Sequence, residues 1–246
     1  MGRDLTLPSV RLQAAAELAA VCLFDGENGR DLTAVDVGCD HAKLAIYLVQ
    51  SGICKKVLAC DINDGPVEKA RENVARRKMR NMPLSDYITV RQNDGLKGLC
   101  NVDADRVFIL GMGGELIADI LESAGFVKDA SRKTAYVLQA MTSEYDLRKY
   151  LYKSGFDIVK EQLVCDKGRI YSLILCIFDG VAREKSEAVL TLGEYNIANR
   201  NELFDTYIDR KIRIQTKLVS DLEKAKLDSD EPKKLLDELV KIKDVK

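Results

Sequence analysis

Short apolar runs separated by amphipathic stretches recur along the first 180 residues and then stop. Residues 33–40 (TAVDVGCD) and 57–61 (VLACD) are apolar runs ended by an acid. That is the pattern of strands buried on both faces of a parallel sheet. Residues 87–92 (YITVRQ) alternate and are β-branched, and 106–110 (RVFIL) and 135–139 (AYVLQ) add two more strands. Between them the period becomes three or four. Helices are predicted over 10–22, with Leu12, Ala16 and Ala19 on one face and Ser9 as N-cap, and over 42–50, closed by Ser51-Gly52. Further helices are predicted over 65–79, with Pro66 in the first turn, over 115–123, and over 143–154, closed by Gly155. Residues 156–165 and 169–178, joined by Asp166-Lys167-Gly168, read as an antiparallel hairpin. The expected fold is α/β, a Rossmann-like seven-stranded sheet with its last strand reversed.

After Asp179-Gly180 the pattern changes. Residues 202–228 are charged and helical, with Phe204, Ile208, Ile212, Gln215, Val219 and Leu222 at spacings of three or four. A break at Asp228–Pro232 precedes a second stretch carrying Leu235, Leu239 and Ile242. Two such helices make an antiparallel coiled-coil pair. The expected division is a sheet domain over 1–180 and a helical appendage over 181–246.

Composition narrows the chemistry. A formal net charge of -1 means that a nucleic-acid partner must be met by a local basic patch. The one histidine, His41, excludes a zinc site built on several histidines, and no metal is expected. Seven cysteines, an odd number with no C-x-x-C pair, fit a reducing cytoplasm better than a disulfide framework. No apolar run approaches the ~20 residues of a membrane span, and the chain is expected to act as a monomer.

The candidate site follows from where the runs end. In open α/β sheets, ligands sit at the carboxyl ends of strands. The first run ends in Asp36-Val37-Gly38-Cys39-Asp40, where Gly38 permits close backbone approach. The second ends in Asp61-Ile62, where a carboxylate can take both hydroxyls of a ribose. The dinucleotide fingerprint needs three glycines opening the helix, and the window Gly38–Lys43 holds one. Asp40 would also oppose a pyrophosphate at that helix start. S-adenosylmethionine has no phosphate and carries a sulfonium and an ammonium, which suit Asp36 and Asp40. The alternative is that both acids only cap the next helix. Asn93-Asp94-Gly95 follows the third strand, where Asp94 can accept from an adenine amino group or simply make a turn. Gly111-Met112-Gly113-Gly114 follows the fourth as a glycine loop facing the cleft, with Gly113 expected at positive φ. Arg11 can reach the same cleft or stand as a solvated charge on its helix. Arg76, Arg77, Lys78 and Arg80 gather where the 65–79 helix is expected to end, as a dipole-matched terminus or an RNA contact.

Five segments, DVGCDHAKLAIYL, DINDGPVEKARENV, VRQNDGL, ILGMGGELIADIL and LQAMTSEYDLRKYLYKSGFDI, resemble the bacterial tRNA (adenine-22-N1)-methyltransferases. The match runs in order over about residues 8–178, and the helix pair fits that family's coiled-coil appendage. The resemblance implies a class I methyltransferase using S-adenosylmethionine on tRNA. It implies cofactor roles for Asp36, Gly38, Asp40, His41, Asp61 and Asp94, with Gly111–Gly114 beside the methyl group. The chain departs from the family at three places. Lys43 stands where an aromatic is usual, Gln139-Ala140-Met141 replaces Gln-Pro-Asn, and Asp61 replaces a glutamate. The first two lie on the substrate side. They leave open a methyltransferase of the same fold acting on another RNA or a small molecule; a cofactor-binding RNA-interaction protein without catalysis is a third reading.

Overall fold

The structure, a computed structural model, describes residues 7–24, 27, 31–79, 81–99 and 104–245. Strands β1 (Thr33–Val37), β2 (Lys56–Asp61), β3 (Ile88–Gln92), β4 (Arg106–Gly113) and β5 (Ala135–Thr142) run parallel. The hairpin β6 (Phe156–Asp166) and β7 (Arg169–Phe178) completes one seven-stranded sheet, with β7 antiparallel to both β5 and β6. The strand order is β3-β2-β1-β4-β5-β7-β6. The chain winds outward from β1 in one direction and from β4 in the other. Their carboxyl ends therefore form the crevice where an α/β sheet takes a ligand.

Helices cover both faces: α1 (Val10–Ala19), α2 (Lys43–Ser51), α3 (Asp64–Ala75), α4 (Gly114–Glu122) and α5 (Glu144–Lys153). One core lies under α1, α2 and α3 and holds Leu44, Leu48, Val57, Ala70 and Phe108. The other lies under α4 and α5 and holds Val35, Val107, Ile117, Leu147 and Leu151. The two cores divide strand residues by alternation, as a pleated sheet requires.

Three expectations need correction. The 65–79 helix ends at Ala75, and Lys78–Met79 pairs with Met82–Pro83 in a small antiparallel ribbon. Asn81 turns that ribbon at φ 68, a conformation asparagine tolerates. The fourth strand continues through Gly113 with register shifts at Leu110/Met112 and Met112/Gly113, so the expected glycine loop is a bulged strand end. Two short helices absent from the sequence reading, α6 (Glu187–Leu192) and α7 (Glu194–Asn199), pack on α5 and β6. They were illegible because each is a single six-residue element, too short to show a period.

The helix pair is α8 (Phe204–Lys224) and α9 (Asp230–Asp244). Phe204, Tyr207, Ile208 and Leu239 are buried with Leu163 of β6 and Leu192 of α6. Ile212, Leu235 and Ile242 pack against that cluster. Gln215 Nε2 donates to the Pro232 carbonyl at 2.9 Å, which explains a polar residue in the seam. Among the described residues no helix is long and apolar enough to cross a membrane.

Arg148 of α5 and Glu161 of β6 form a fully buried ion pair, Nε to Oε1 2.7 Å. Removing one charge of such a pair leaves the other without compensation. Glu161→Gln is expected to destabilise the fold by about 3–5 kcal/mol in denaturant titration; a loss under about 1 kcal/mol would mean that the pair is dispensable.

Candidate active site

The turn after β1 gathers three residues at positive φ within five positions. Gly38 lies at φ 71, Asp40 at φ 47 and Ala42 at φ 55. Two non-glycine residues in left-handed conformation cost about 1–3 kcal/mol each and persist where the surroundings over-determine them. Here the Cys60 carbonyl accepts from both Gly38 N and Cys39 N, at 2.8 and 3.0 Å, and fastens the turn to β2. Asn73 Nδ2 donates to the His41 carbonyl from α3, at 3.1 Å.

Asp36 is buried inside β1. Its carboxylate accepts from the Ala45 backbone N–H in the first turn of α2. The N-cap position of α2 is Ala42, without a side-chain cap, so neither Asp36 nor Asp40 is its capping residue. Asp36 Oδ2 has no hydrogen-bond partner among the described residues. Burial, reinforced by the charge of Asp61 and opposed by the Ala45 N–H, pushes its carboxyl up from 3.8 to about 7. Gly38 beside it is a cradle: an added Cβ would stand 2.3 Å from Met112 Cε of β4. A buried, partnerless carboxylate oxygen next to a side-chain-free backbone fits a ligand with an ammonium group.

Asp61 ends β2 half-exposed, and its Oδ1 accepts from Asn63 N at 3.0 Å. Ile62 beside it is 56% exposed, an apolar face unusual at a strand end and suited to an adenine ring. Gln92 Nε2 donates to the Ile62 carbonyl at 3.0 Å, and Asn93 N donates to the Asp61 carbonyl at 2.9 Å, joining the ends of β2 and β3. Asn93 Nδ2 donates to the Gly95 carbonyl at 2.9 Å, and Asp94 Oδ2 accepts from Lys97 Nζ at 2.6 Å. Asp94 therefore sits in a turn, with its exposed carboxylate paired to Lys97.

At the end of β4, Gly111 has φ 79, and a Cβ there would approach Arg11 Nη1 at 3.3 Å. Arg11 donates to Gln139 Oε1 and lies over the Tyr171 ring at 5.4 Å. Gly113 has an ordinary extended backbone, φ -66 and ψ 145, which corrects the expected positive φ. A Cβ at Gly113 would meet only Thr142 Oγ1, at 3.4 Å. The position closed to side chains is Gly114, where a Cβ would stand 2.2 Å from the Ser143 carbonyl oxygen.

His41 Nε2 lies 3.3 Å from Asp40 Oδ1. His41, Lys43, Asn73 and Arg77 line a cavity of about 250 Å³ beside the turn. Of the four cations placed at the helix end, Arg77 reaches this cavity; its Nη1 also donates to the Asn73 carbonyl at 2.8 Å. Arg76 is the helix C-cap and pairs with Glu72, Lys78 is exposed in the ribbon, and Arg80 lies outside the described residues. The sequence reading missed Asn73 and Tyr171. Tyr171 could have been found by running the hairpin register back: Leu138 pairs with Ile174, which brings 171 level with the end of β5. No group of three or more His, Cys, Asp or Glu side chains that could hold a metal occurs among the described residues.

The chain is similar to known proteins along most of its length. A family model described as tRNA (adenine(22)-N(1))-methyltransferase matches residues 34–244. A Bacillus subtilis protein of that name is 30% identical over 204 residues, covering 80% of this chain and 77% of its own. The crystal structure of the B. subtilis M1A22 tRNA methyltransferase superposes with a TM-score of 0.73 at 26% identity, covering 98% of this chain and 97% of that one. A structure of an M. capricolum protein in complex with the cofactor product S-adenosyl-homocysteine superposes with a TM-score of 0.71 at 25% identity, covering 96% of both chains.

Two outcomes are expected. If Asp36 receives the cofactor's ammonium, its ionised form is the binding form, so affinity falls by up to about tenfold per pH unit below about 7. The apo fold shows the opposite sign: a raised carboxyl stabilises the protonated native state, and that contribution is lost as pH rises from about 4 to about 7. Calorimetric titration and melting on either side of pH 7 read both, and Asp36→Asn should flatten them. If Asp61 takes the cofactor's ribose hydroxyls, Asp61→Ala removes a charge-assisted hydrogen bond worth about 1.5–3 kcal/mol, and cofactor affinity should drop roughly ten- to a hundredfold. Unchanged affinity in a folded variant would remove Asp61 from the ribose.

Proposed function

The chain belongs to the tRNA (adenine(22)-N(1))-methyltransferase family, and we propose that it transfers the methyl group of S-adenosylmethionine to N1 of adenine 22 in tRNA. The observation that carries the reading is the β1 turn, with the partnerless Oδ2 of Asp36, the Gly38 cradle and Asp61 on the neighbouring strand. In this reading Asp61 takes the ribose hydroxyls and Ile62 covers one face of the adenine. Asn93, Asp94 and Gly95 meet its edge. Asp36 holds the ammonium and Arg11, beside Gly111, the carboxylate.

When bound, the cofactor supplies an electrophilic methyl on a sulfonium. Adenine N1 carries its own lone pair, so the protein need not generate a nucleophile. What it must supply is position and a field that favours the reacting geometry. Gly111, Met112 and Gly113 bring bare or flexible chain to the end of β4, where donor and base would meet. Asp40 and His41 close the opposite side. N1 lies on the Watson–Crick edge, so the target base must be unpaired or extruded. Lys43 and Arg77 at the cavity beside His41 would hold the RNA backbone there, whereas Gln139, expected to contact RNA, is fully buried with its side chain engaged by Arg11 and the Ala140 carbonyl and has no surface to offer it. A tRNA substrate places the work in the cytoplasm. The appendage carrying the RNA contacts would be the helix pair proper, α8 and α9.

Labelled methyl transfer to unmodified tRNA, followed by nucleoside analysis and mapping, tests the reading: N1-methyladenosine at position 22 is expected. A different methylated nucleoside would move the protein to another substrate within the same fold, which is where Lys43 and Met141 would point. Gly113→Val probes the transfer site itself. Its backbone accepts a side chain, so melting temperature and cofactor affinity should hold. Turnover should fall on the order of a hundredfold, the effect of about 1 Å of misplacement. Near-normal single-turnover rates would exclude Gly113 from the transfer site.

A further inference from the structure

A second cavity, of about 420 Å³, opens between the sheet edge and the base of α8. On the sheet side it is lined by Met141, Thr142, Arg169 and Tyr171, and on the helix side by Arg210, Lys211 and Ile214. It begins at the residue paired with Gly113: Thr142 is the register partner of Gly113 on β5. The antiparallel β7 starts at Arg169, so its first residues lie at this same end of the sheet.

The charges in this cleft are unequal. Lys211 Nζ is held by Glu144 Oε2 at 2.7 Å, so that pair is internally balanced. Tyr207 OH donates to the same oxygen at 2.9 Å. Arg169 and Arg210 are exposed and form no ion pair among the described residues. Two cations on separate elements therefore face one cleft without counter-charge. Apolar surface stands between them: Met141 is 42% and Ile214 56% exposed, and the Tyr171 ring is half-buried, with Arg11 on it. Cations that track a backbone, interleaved with aromatic and apolar faces, are the means by which unpaired nucleic acid is held.

We propose that this cleft binds the RNA strand adjoining the target nucleotide, with Arg169 and Arg210 each taking a backbone phosphate and Tyr171 and Met141 offering a face to an unpaired base. The proposal rests on the tRNA reading above and adds to it a place and two residues. It makes the base of the helix pair one wall of the substrate site. The Glu144–Tyr207–Lys211 contacts set the width of the cleft, because Glu144 opens α5 directly after Thr142-Ser143.

The test is the double variant Arg169→Ala, Arg210→Ala, with unmodified tRNA transcript as the probe. Each lost phosphate contact lowers the slope of log affinity against log salt by about 1, so a decrease of about 2 is expected. KM for tRNA should rise about tenfold or more, while kcat, cofactor affinity and melting temperature stay at wild-type values. Arg169→Lys, Arg210→Lys should recover most of the salt slope, since a phosphate accepts a point charge. Lys56→Ala, Lys153→Ala removes two exposed cations elsewhere, with Lys56 at the amino end of β2; it should leave the slope and KM nearly unchanged. An unchanged slope and KM in the arginine double variant overturns the cleft while leaving the tRNA reading intact. A fall in kcat without a change in binding also overturns it. Wild-type protein that neither binds nor methylates tRNA overturns both.

Discussion

A guanidinium buried away from water must find acceptors for its donors within the protein, and Arg148 meets that demand by drawing four segments together. Its Nε goes to Glu161 on β6, its Nη2 to Ser172 on β7, and its Nη1 to the carbonyls of Leu190 and Thr191 at the end of α6. Glu161 in turn accepts from Tyr195 N at the start of α7, and Asn196 donates to Ser172. One turn earlier on α5, Glu144 takes Tyr207 and Lys211 from α8. Helix α5 is thus the spine from which the reversed hairpin, the short helices and the base of the coiled coil are hung. Their placement relative to the crevice is fixed by polar contacts that have few alternatives in a dry interior.

The crevice itself shows the opposite economy. Its first turn holds two non-glycine residues in left-handed conformation, and Asp36 keeps one carboxylate oxygen unsatisfied under burial. A ligand that brings a positive charge relieves that arrangement. The strain of this turn is carried by the packed cores under α2, α3 and α4.

Much of this was legible in the sequence. Buried parallel strands have no solvent face, so 33–37 and 57–61 stand out as continuous apolar runs, and their terminal acids mark the crevice directly. The reversed hairpin follows from Asp166-Lys167-Gly168, whose Lys167 and Gly168 take positive φ. What escaped depends on tertiary context. Gly111, Gly113 and Gly114 read alike as letters, yet one sits in a bulge, one in extended backbone and one against the Ser143 carbonyl. Helix 65–79 reads as continuing because arginine and lysine are good helix formers; the ribbon at 78–83 ends it instead. Arg148 reads as a charge on an amphipathic helix, and nothing local says that it is buried with Glu161, thirteen residues away.

Helix α1 is a strut pinned at both ends. Arg106, at the start of β4, takes the carbonyls of Ala19 and Val21 and pairs with Glu27, while Arg11 reaches Gln139 and the bulge at Gly111 near the far end of the same strand. An α-helix advances about 1.5 Å and turns about 100° per residue. One residue inserted between the two pins would swing Arg11 away from the crevice, and a whole turn would carry it about 5.4 Å past. The length of α1 is therefore quantised. Insertions and deletions among relatives should be absent between residues 11 and 19, yet free to accumulate at the tip joining α8 to α9, where added turns lengthen both helices without moving their base.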